Sequence, residues 1–278
     1  MKRFAHLAAV ALLALTACGS GSNEPEAPSP SINYQDGMSA TVVSVETGNT
    51  FTAQIEGVQK PVRLINTAAP STHGVALSNT CLVEESTSKL AEKLPEGAEV
   101  TLNFDEGQRG GTGYVEAAVY AGETFINADM ARSGLISTTF ATSRDEFYPE
   151  ISQAQQDAAN EGLGLYSKST DCTISASIEE QVKAVEDARS WVVPADDTTR
   201  TAEREAVYME ASELYNSLQD EVPAPSSWVG SIVTLEAVQK EMSDLKSLLG
   251  DDYYPKRGST VNQQKKATAE ATPVRPGS

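Results

Sequence analysis

The stretch VRLINTAAPST, Val62 to Thr72, alternates apolar and polar residues in the manner of a strand, then breaks at Pro70 into a short polar loop. It carries one arginine, Arg63, and no acid. The neighbouring text continues the pattern in both directions. Upstream, MSATVVSVE and TFTAQIEG read as strands, and KPVRLIN as a third, with turn signals at Thr47-Gly48-Asn49 and at Gly57. Downstream, VEESTSKLAEKL follows Cys81 as a helix that stops at Pro95-Glu96-Gly97, and EVTLNFD and YVEAAVY are two further strands. FINADMARSG is a short helix closed by Gly134, and EFYPEISQAQQDAANEG is a longer one closed by Gly162. A meander of strands with helices inserted between and after them predicts an α+β domain built on a small barrel, over residues 38–172.

Beyond Cys172 the text turns almost purely helical. Ile178, Val182, Val185 and Val192 form one seam, Val207, Ala211, Leu214 and Leu218 a second, and Leu235, Val238, Met242, Leu245 and Leu249 a third. Pro194 and the PAPSS segment, Pro223 to Ser227, separate them, so residues 173–250 predict a three-helix bundle. The seams are core positions and contain no ligand set. From Asp251 to Ser278 no period is left, and the composition reads as a disordered tail.

At the other end, Lys2 and Arg3 precede an apolar run from Leu7 to Leu15, the order of a secretory signal over residues 1–17. The run is too short to span a bilayer, and Leu15-Thr16-Ala17-Cys18 resembles the lipobox of bacterial lipoproteins. On that reading Cys18 becomes the lipid-modified first residue and holds the protein to a membrane without a spanning helix. The other reading is a plain signal peptide with an incidental cysteine. The Gly, Ser, Pro and Glu that follow, up to Gly37, cannot bury enough apolar surface to fold and are expected to form a disordered tether, residues 18–37. These features place the protein outside the cytoplasm, lipid-anchored to the cell membrane.

The net charge is −18, from 39 acids and 21 bases. The barrel region is itself acidic, with 18 Asp and Glu against 8 Lys and Arg between Met38 and Cys172. Such a field repels phosphate backbones and disfavours nucleic acid as a partner. Once Cys18 is committed to lipid, Cys81 and Cys172 remain, and outside the cytoplasm two leftover thiols usually pair. Two separate buried thiols are the other reading. The only histidines, His6 and His73, offer no second ligand at a metal-binding spacing, so no metal site is expected.

Four pieces in order, SATVVSVETGNTFTA, PVRLINTAAPS, LNFDEGQRGGTGYVEAAVYAGETFINADMARSGLI and AQQDAANEGLGLYS, resemble the staphylococcal nuclease (thermonuclease-like) family between Met38 and Ser167. The resemblance implies an OB-type five-stranded barrel with three helices. It also implies phosphodiester cleavage by one calcium ion, a carboxylate base and two arginines. Each part has a physical reason: calcium is a hard cation that wants several oxygens with negative charge among them, and the arginines stabilise charge developing on the phosphate.

Position by position, the resemblance also implies a degenerate site. The family's calcium turn, Asp-Gly-Asp-Thr, aligns with Thr47-Gly48-Asn49-Thr50, so both carboxylates are replaced. In the stretch from Arg63 to Ser71 the first arginine and the proline are kept, the calcium aspartate is Ala68, and the carboxylate base is Ser71. With one residue deleted in the glycine-rich turn, the second arginine is Tyr114. The positions of the nucleotide-flanking aromatic wall read Thr112, Phe140 and Thr142. Glu46 lies on the strand face opposite Thr47, and Asp105 and Glu106 belong to a structural turn of the family. A lone arginine can hold an anion, or pair with a barrel carboxylate, but it cannot generate a hydroxide nucleophile at neutral pH.

The sequence therefore predicts a membrane-anchored lipoprotein whose nuclease-like barrel has lost catalysis and serves as a binding or scaffold module. Its expected partner is a protein or cell-envelope ligand, and no cofactor is expected. A divergent, calcium-dependent secreted nuclease is the rival reading. A third makes the helical region the functional part and the barrel a spacer.

Overall fold

A computed structural model describes residues 32–72, 80–105, 113–139, 145–222 and 227–250. The expected signal segment, Cys18, His6, His73, Glu106, Thr112, Phe140, Thr142 and the C-terminal tail lie outside the described residues. No described helix is long and apolar enough to cross a membrane.

Three antiparallel strands come first: β1 (Met38–Thr47), β2 (Thr50–Ile55) and β3 (Val58–Leu64). On its other edge β1 takes β5 (Glu99–Asn103), and β5 takes β6 (Val115–Ala121), both antiparallel. The barrel closes where β6 returns to β3 in parallel, pairing Val62 with Val115, Arg63 with Glu116 and Leu64 with Ala117. Closure leaves no edge for a partner chain over those three residues. Pro61 is the residue just before that closure. A proline lacks the N–H that a second ladder would need, so it sits where β3 pairs with β2 alone.

The strands alternate in burial as the sequence pattern requires, and Phe51, Ala53, Ile55, Val62, Leu64, Leu102, Ala117 and Val119 are fully buried inside. Two short pairs escape sequence periodicity: β4 (Thr67–Ala68) with β8 (Ser137–Thr138), and β7 (Thr124–Phe125) with the end of β6. The helices are α1 (Val83–Lys93), α2 (Ile126–Arg132) and α3 (Tyr148–Glu161). Asn127 of α2 is fully buried and spends its amide on backbone, accepting from Val119 N and donating to Ile65 O and Ala117 O. It fastens α2 to β6 and to the turn after β3. Gly134 and Gly164 approach so closely that a Cβ on either would lie 2.4 Å from a carbonyl oxygen across the contact. Both have positive φ, and Leu165 N donates to Gly134 O at 2.9 Å, so neither position admits a side chain.

The tether is shorter than its composition implies. Tyr34 packs against Phe104, Asp36 Oδ1 accepts from Phe104 N at 2.7 Å, and Gly37 N donates to Leu102 O. Partners on β5 and just after it order residues that alone would be coil.

The helical region comprises α4 (Ile174–Ser190), α5 (Thr198–Glu221), the short α6 (Trp228–Val233) and α7 (Glu236–Leu249). Side-chain caps start three of them: Thr173 accepts from Ala176 N, Asp197 from Arg200 N and Ser227 from Gly230 N. The third predicted seam is buried throughout. The first loses Val192, which is 94% exposed because α4 ends at Ser190 and Trp191 turns extended. In the second, Ala211 and Leu218 are buried and Val207 and Leu214 only partly so, with Tyr208 and Tyr215 taking up the core face. The longer aromatic stems reach further into the interhelical space than Val or Leu at the adjacent positions.

The region does not keep a core to itself. Ala158, Ala159, Leu165, Tyr166 and Cys81 belong to the same apolar cluster as Ile178, Val185, Leu245 and Leu249. Cys81 and Cys172 are joined by a disulfide between the segment before α1 and the segment before α4. A buried polar network gathers around Gln155, whose Oε1 accepts from Thr138 N and Oγ1 and whose Nε2 donates to Ser137 Oγ, Tyr166 Oη and Ser231 O. One apolar cluster thus runs across Cys172.

Candidate functional site

The barrel mouth is built from the β1–β2 turn, the end of β3 with the segment after it, and the start of β6. In the turn, Gly48 is pressed against α1: a Cβ there would meet Ser86 Oγ at 1.7 Å and Ala69 Cβ at 3.3 Å. Ser86 is itself fully buried and donates to Leu135 O. Only glycine fits between Thr47 and Asn49.

Asn49 is 8% exposed, and its side-chain amide donates to Thr67 O at 3.0 Å and to Thr67 Oγ1 at 3.3 Å. On its other side Asn49 Oδ1 accepts from Thr47 Oγ1 at 3.1 Å, and Thr47 Oγ1 shares a 2.7 Å hydrogen bond with Thr50 Oγ1. Thr67 Oγ1 donates onward to Leu64 O at 2.7 Å, so the Thr67 hydroxyl can only accept from Asn49. That chain of donors fixes the orientation of the Asn49 amide. Leu64 N, donating to Asn49 O at 2.9 Å, completes the attachment of the turn to β3.

Arg63 has two close neighbours. Its guanidinium lies 4.0 Å from the centroid of the Tyr114 ring, and Nη1 stands 3.5 Å from Glu116 Oε1. Glu116 is the residue facing Arg63 across the parallel β3–β6 ladder. Of the two readings of Arg63 drawn from sequence, the structure displays the pair with a barrel carboxylate. Both side chains keep a quarter to a third of their surface, so the ion pair is worth about 1 kcal/mol or less.

Ala68 is half-buried and paired with Ser137 in the β4–β8 bridge, and Ser71 is exposed in the loop beyond Pro70. Glu46 faces outward, accepting from the hydroxyls of Ser44 and Thr52. Asp105, just after β5, is buried; its Oδ1 accepts from Glu146 N at 3.2 Å and its Oδ2 has no partner among the described residues. Burial raises its pKa above the ordinary value, and the carboxylates of Asp145, Glu146 and Asp36 add to the rise.

A calcium ion takes roughly six to eight oxygens, with carboxylates among them. Thr47, Asn49, Ala68 and Ser71 supply no carboxylate, and the oxygens of Thr47 and Thr67 are held in neutral hydrogen bonds. Among the described residues no group of three or more His, Cys, Asp or Glu is arranged to hold a metal. The donor set at the barrel mouth does not fit calcium.

The sequence singled out Thr47, Asn49, Arg63, Ala68, Ser71 and Tyr114 but missed Thr67, Ser86 and Glu116; the only signal for Glu116 is its place near the start of the strand that follows Tyr114. The Ser86 contact with Gly48 left no local signal, because it joins residues 38 apart. Residues 61–168 match the family described as Staphylococcal nuclease homologue. No curated protein matches the chain.

Proposed function

We propose, from the staphylococcal nuclease-like domain over residues 61–168, that this protein is a membrane-anchored extracytoplasmic lipoprotein whose barrel has lost phosphodiester cleavage and acts as a binding or scaffold module. What supports the reading is a barrel mouth held by neutral contacts: Asn49 is hydrogen-bonded to Thr67 and Tyr114 lies on Arg63, at positions to which the resemblance assigns a calcium carboxylate and a second arginine.

Hydrolysis of a phosphodiester needs an activated water and cations to meet the developing charge. Arg63 alone supplies neither a base nor a metal-bound hydroxide. Cys18 is the proposed lipid acceptor, and a protein or cell-envelope component the proposed partner, since the net charge of −18 disfavours nucleic acid.

Two measurements test the reading. Calorimetric titration is expected to show no specific calcium binding, and saturable binding at micromolar to millimolar calcium would overturn the loss of the metal site. Metabolic labelling with a fatty-acid probe is expected to mark the native chain and not Cys18→Ser; label persisting in that variant would remove Cys18 as the anchor.

A further inference from the structure

We infer that the side-chain amide of Asn49 is a built-in stand-in for a cation, holding together the oxygens of the β1–β2 turn and of Thr67 so that the barrel mouth keeps its shape without any ion. The inference deepens the non-catalytic reading of the same site and rests on it.

The geometry runs from one atom. Asn49 Nδ2 faces two oxygens of one residue, Thr67 O at 3.0 Å and Thr67 Oγ1 at 3.3 Å. Both are buried, with Thr67 4% and Asn49 8% exposed. Buried acceptors at the mouth of a barrel need a partner of positive character, which is an N–H or O–H donor or a cation. Here two N–H bonds from a neutral amide supply it. A carboxylate at position 49 could not, because an ionised Asp only accepts hydrogen bonds.

The surroundings reinforce the substitution. Thr47 Oγ1, another oxygen of the turn, is taken up by Asn49 Oδ1 and Thr50 Oγ1. Gly48 cannot move toward α1, where Ser86 already occupies the space a Cβ would need. The loop is therefore held on one side by packing and on the other by the amide. It follows that Asn49→Asp would keep the Thr47 hydroxyl bond but would set a carboxylate oxygen against Thr67 O and Oγ1 in place of the amide donor, and would create a dependence on cations that the native chain lacks.

The test is thermal unfolding of the full disulfide-bonded chain in chelator and in millimolar calcium, for the native protein, Asn49→Asp and Asn49→Ala. The native chain is expected to melt at the same temperature in both. Asn49→Asp is expected to melt about 4 °C or more lower in chelator and to recover at least half of that loss in calcium. Asn49→Ala is expected to melt lower in both and not to respond. A native melting temperature that rises with calcium, an Asn49→Asp protein as stable as native in chelator, or one indifferent to calcium would each overturn the inference.

Should Asn49→Asp not fold, hydrogen exchange of the native side-chain amides decides. Asn49 Nδ2 protons are expected to exchange at least tenfold more slowly than those of exposed Asn33, and equal rates would overturn the stand-in role. Failure here with no nucleic-acid cleavage leaves the proposed function standing, whereas cleavage by the native chain removes that function itself.

Discussion

Arg63 and Tyr114 face one another across the point of barrel closure, guanidinium over ring at 4.0 Å. The pair joins β3 to the start of β6 and so belongs to the architecture of the mouth. A cation over an aromatic face at a partly exposed site is worth about 0.5–1 kcal/mol. Tyr114→Ala is expected to cost about that much in denaturant unfolding and to change the chemical shift of Arg63 Nε. Tyr114→Phe is expected to leave both close to native, since the ring face is kept.

Gly48→Ala is expected to be more damaging than its size suggests. The added methyl would stand 1.7 Å from Ser86 Oγ, which is fully buried and bonded to Leu135 O, so either the turn or α1 has to shift. Overpacking of this kind costs about 1–3 kcal/mol. Equilibrium unfolding measures it, and a near-neutral effect would contradict the close approach.

The disulfide closes a loop with a sequence separation of 91. In the chain-entropy treatment a loop of that length constrains the unfolded chain by about 4–5 kcal/mol. Reduction, or Cys81→Ser with Cys172→Ser, is expected to lower the melting temperature clearly. Two free thiols found by mass spectrometry in the purified, unreduced protein would contradict the bridge.

A fragment ending at Cys172 is expected not to fold stably. It would strip Ala158, Ala159, Leu165 and Tyr166 of the helices that cover them and would leave Ser137 and Gln155 without Ser231. Uncovering Leu165 and Tyr166, at about 1.5–3 kcal/mol for each large side chain, together with the two alanines and the broken polar network, removes a large share of the roughly 5–15 kcal/mol that holds a domain folded. A cooperative melt of the fragment near the native temperature would show that the barrel stands alone.

The pH dependence has a definite sign at Asp105. Its folded pKa is raised, first by burial and then by Asp145, Glu146 and Asp36. A raised carboxyl contributes stability that is fully present below its unfolded value and is lost as pH rises through the folded value. Asp105→Asn, which keeps the acceptor for Glu146 N, is expected to melt at increasingly higher temperature than native as pH climbs from about 4 to about 7. A difference that stays constant or shrinks with pH would contradict the burial of a strained carboxylate there.

How far the fold could be read from sequence differs by element. The strand alternation of residues 38–66, the helix beginning at Val83 and the helix stop at Gly162 all rest on local patterning, and the structure places them within a few residues of expectation. What escaped was long-range. Tyr34 and Asp36 are ordered by Phe104, some 70 positions away, and the tether's composition carries no trace of that. Gln155 reads as one more polar helix residue, yet it is 1% exposed because barrel and helices supply partners from both sides. At the site, the sequence singled out Thr47, Asn49, Ala68, Ser71 and Tyr114, but the contacts these residues make were not legible in it. Hydrogen-bond direction and ring stacking depend on coordinates that spacing alone does not supply.

The central claim is that the nuclease-like barrel does not cleave nucleic acid, and a plasmid-nicking assay tests it most directly. Purified native chain, free of contaminating nuclease, would be incubated with supercoiled DNA, and in parallel with RNA, in calcium and in chelator, with Arg63→Ala as control. The account predicts no cleavage above the buffer background in any lane, and no difference between native and Arg63→Ala. Calcium-dependent nicking by the native protein that disappears in Arg63→Ala would contradict it.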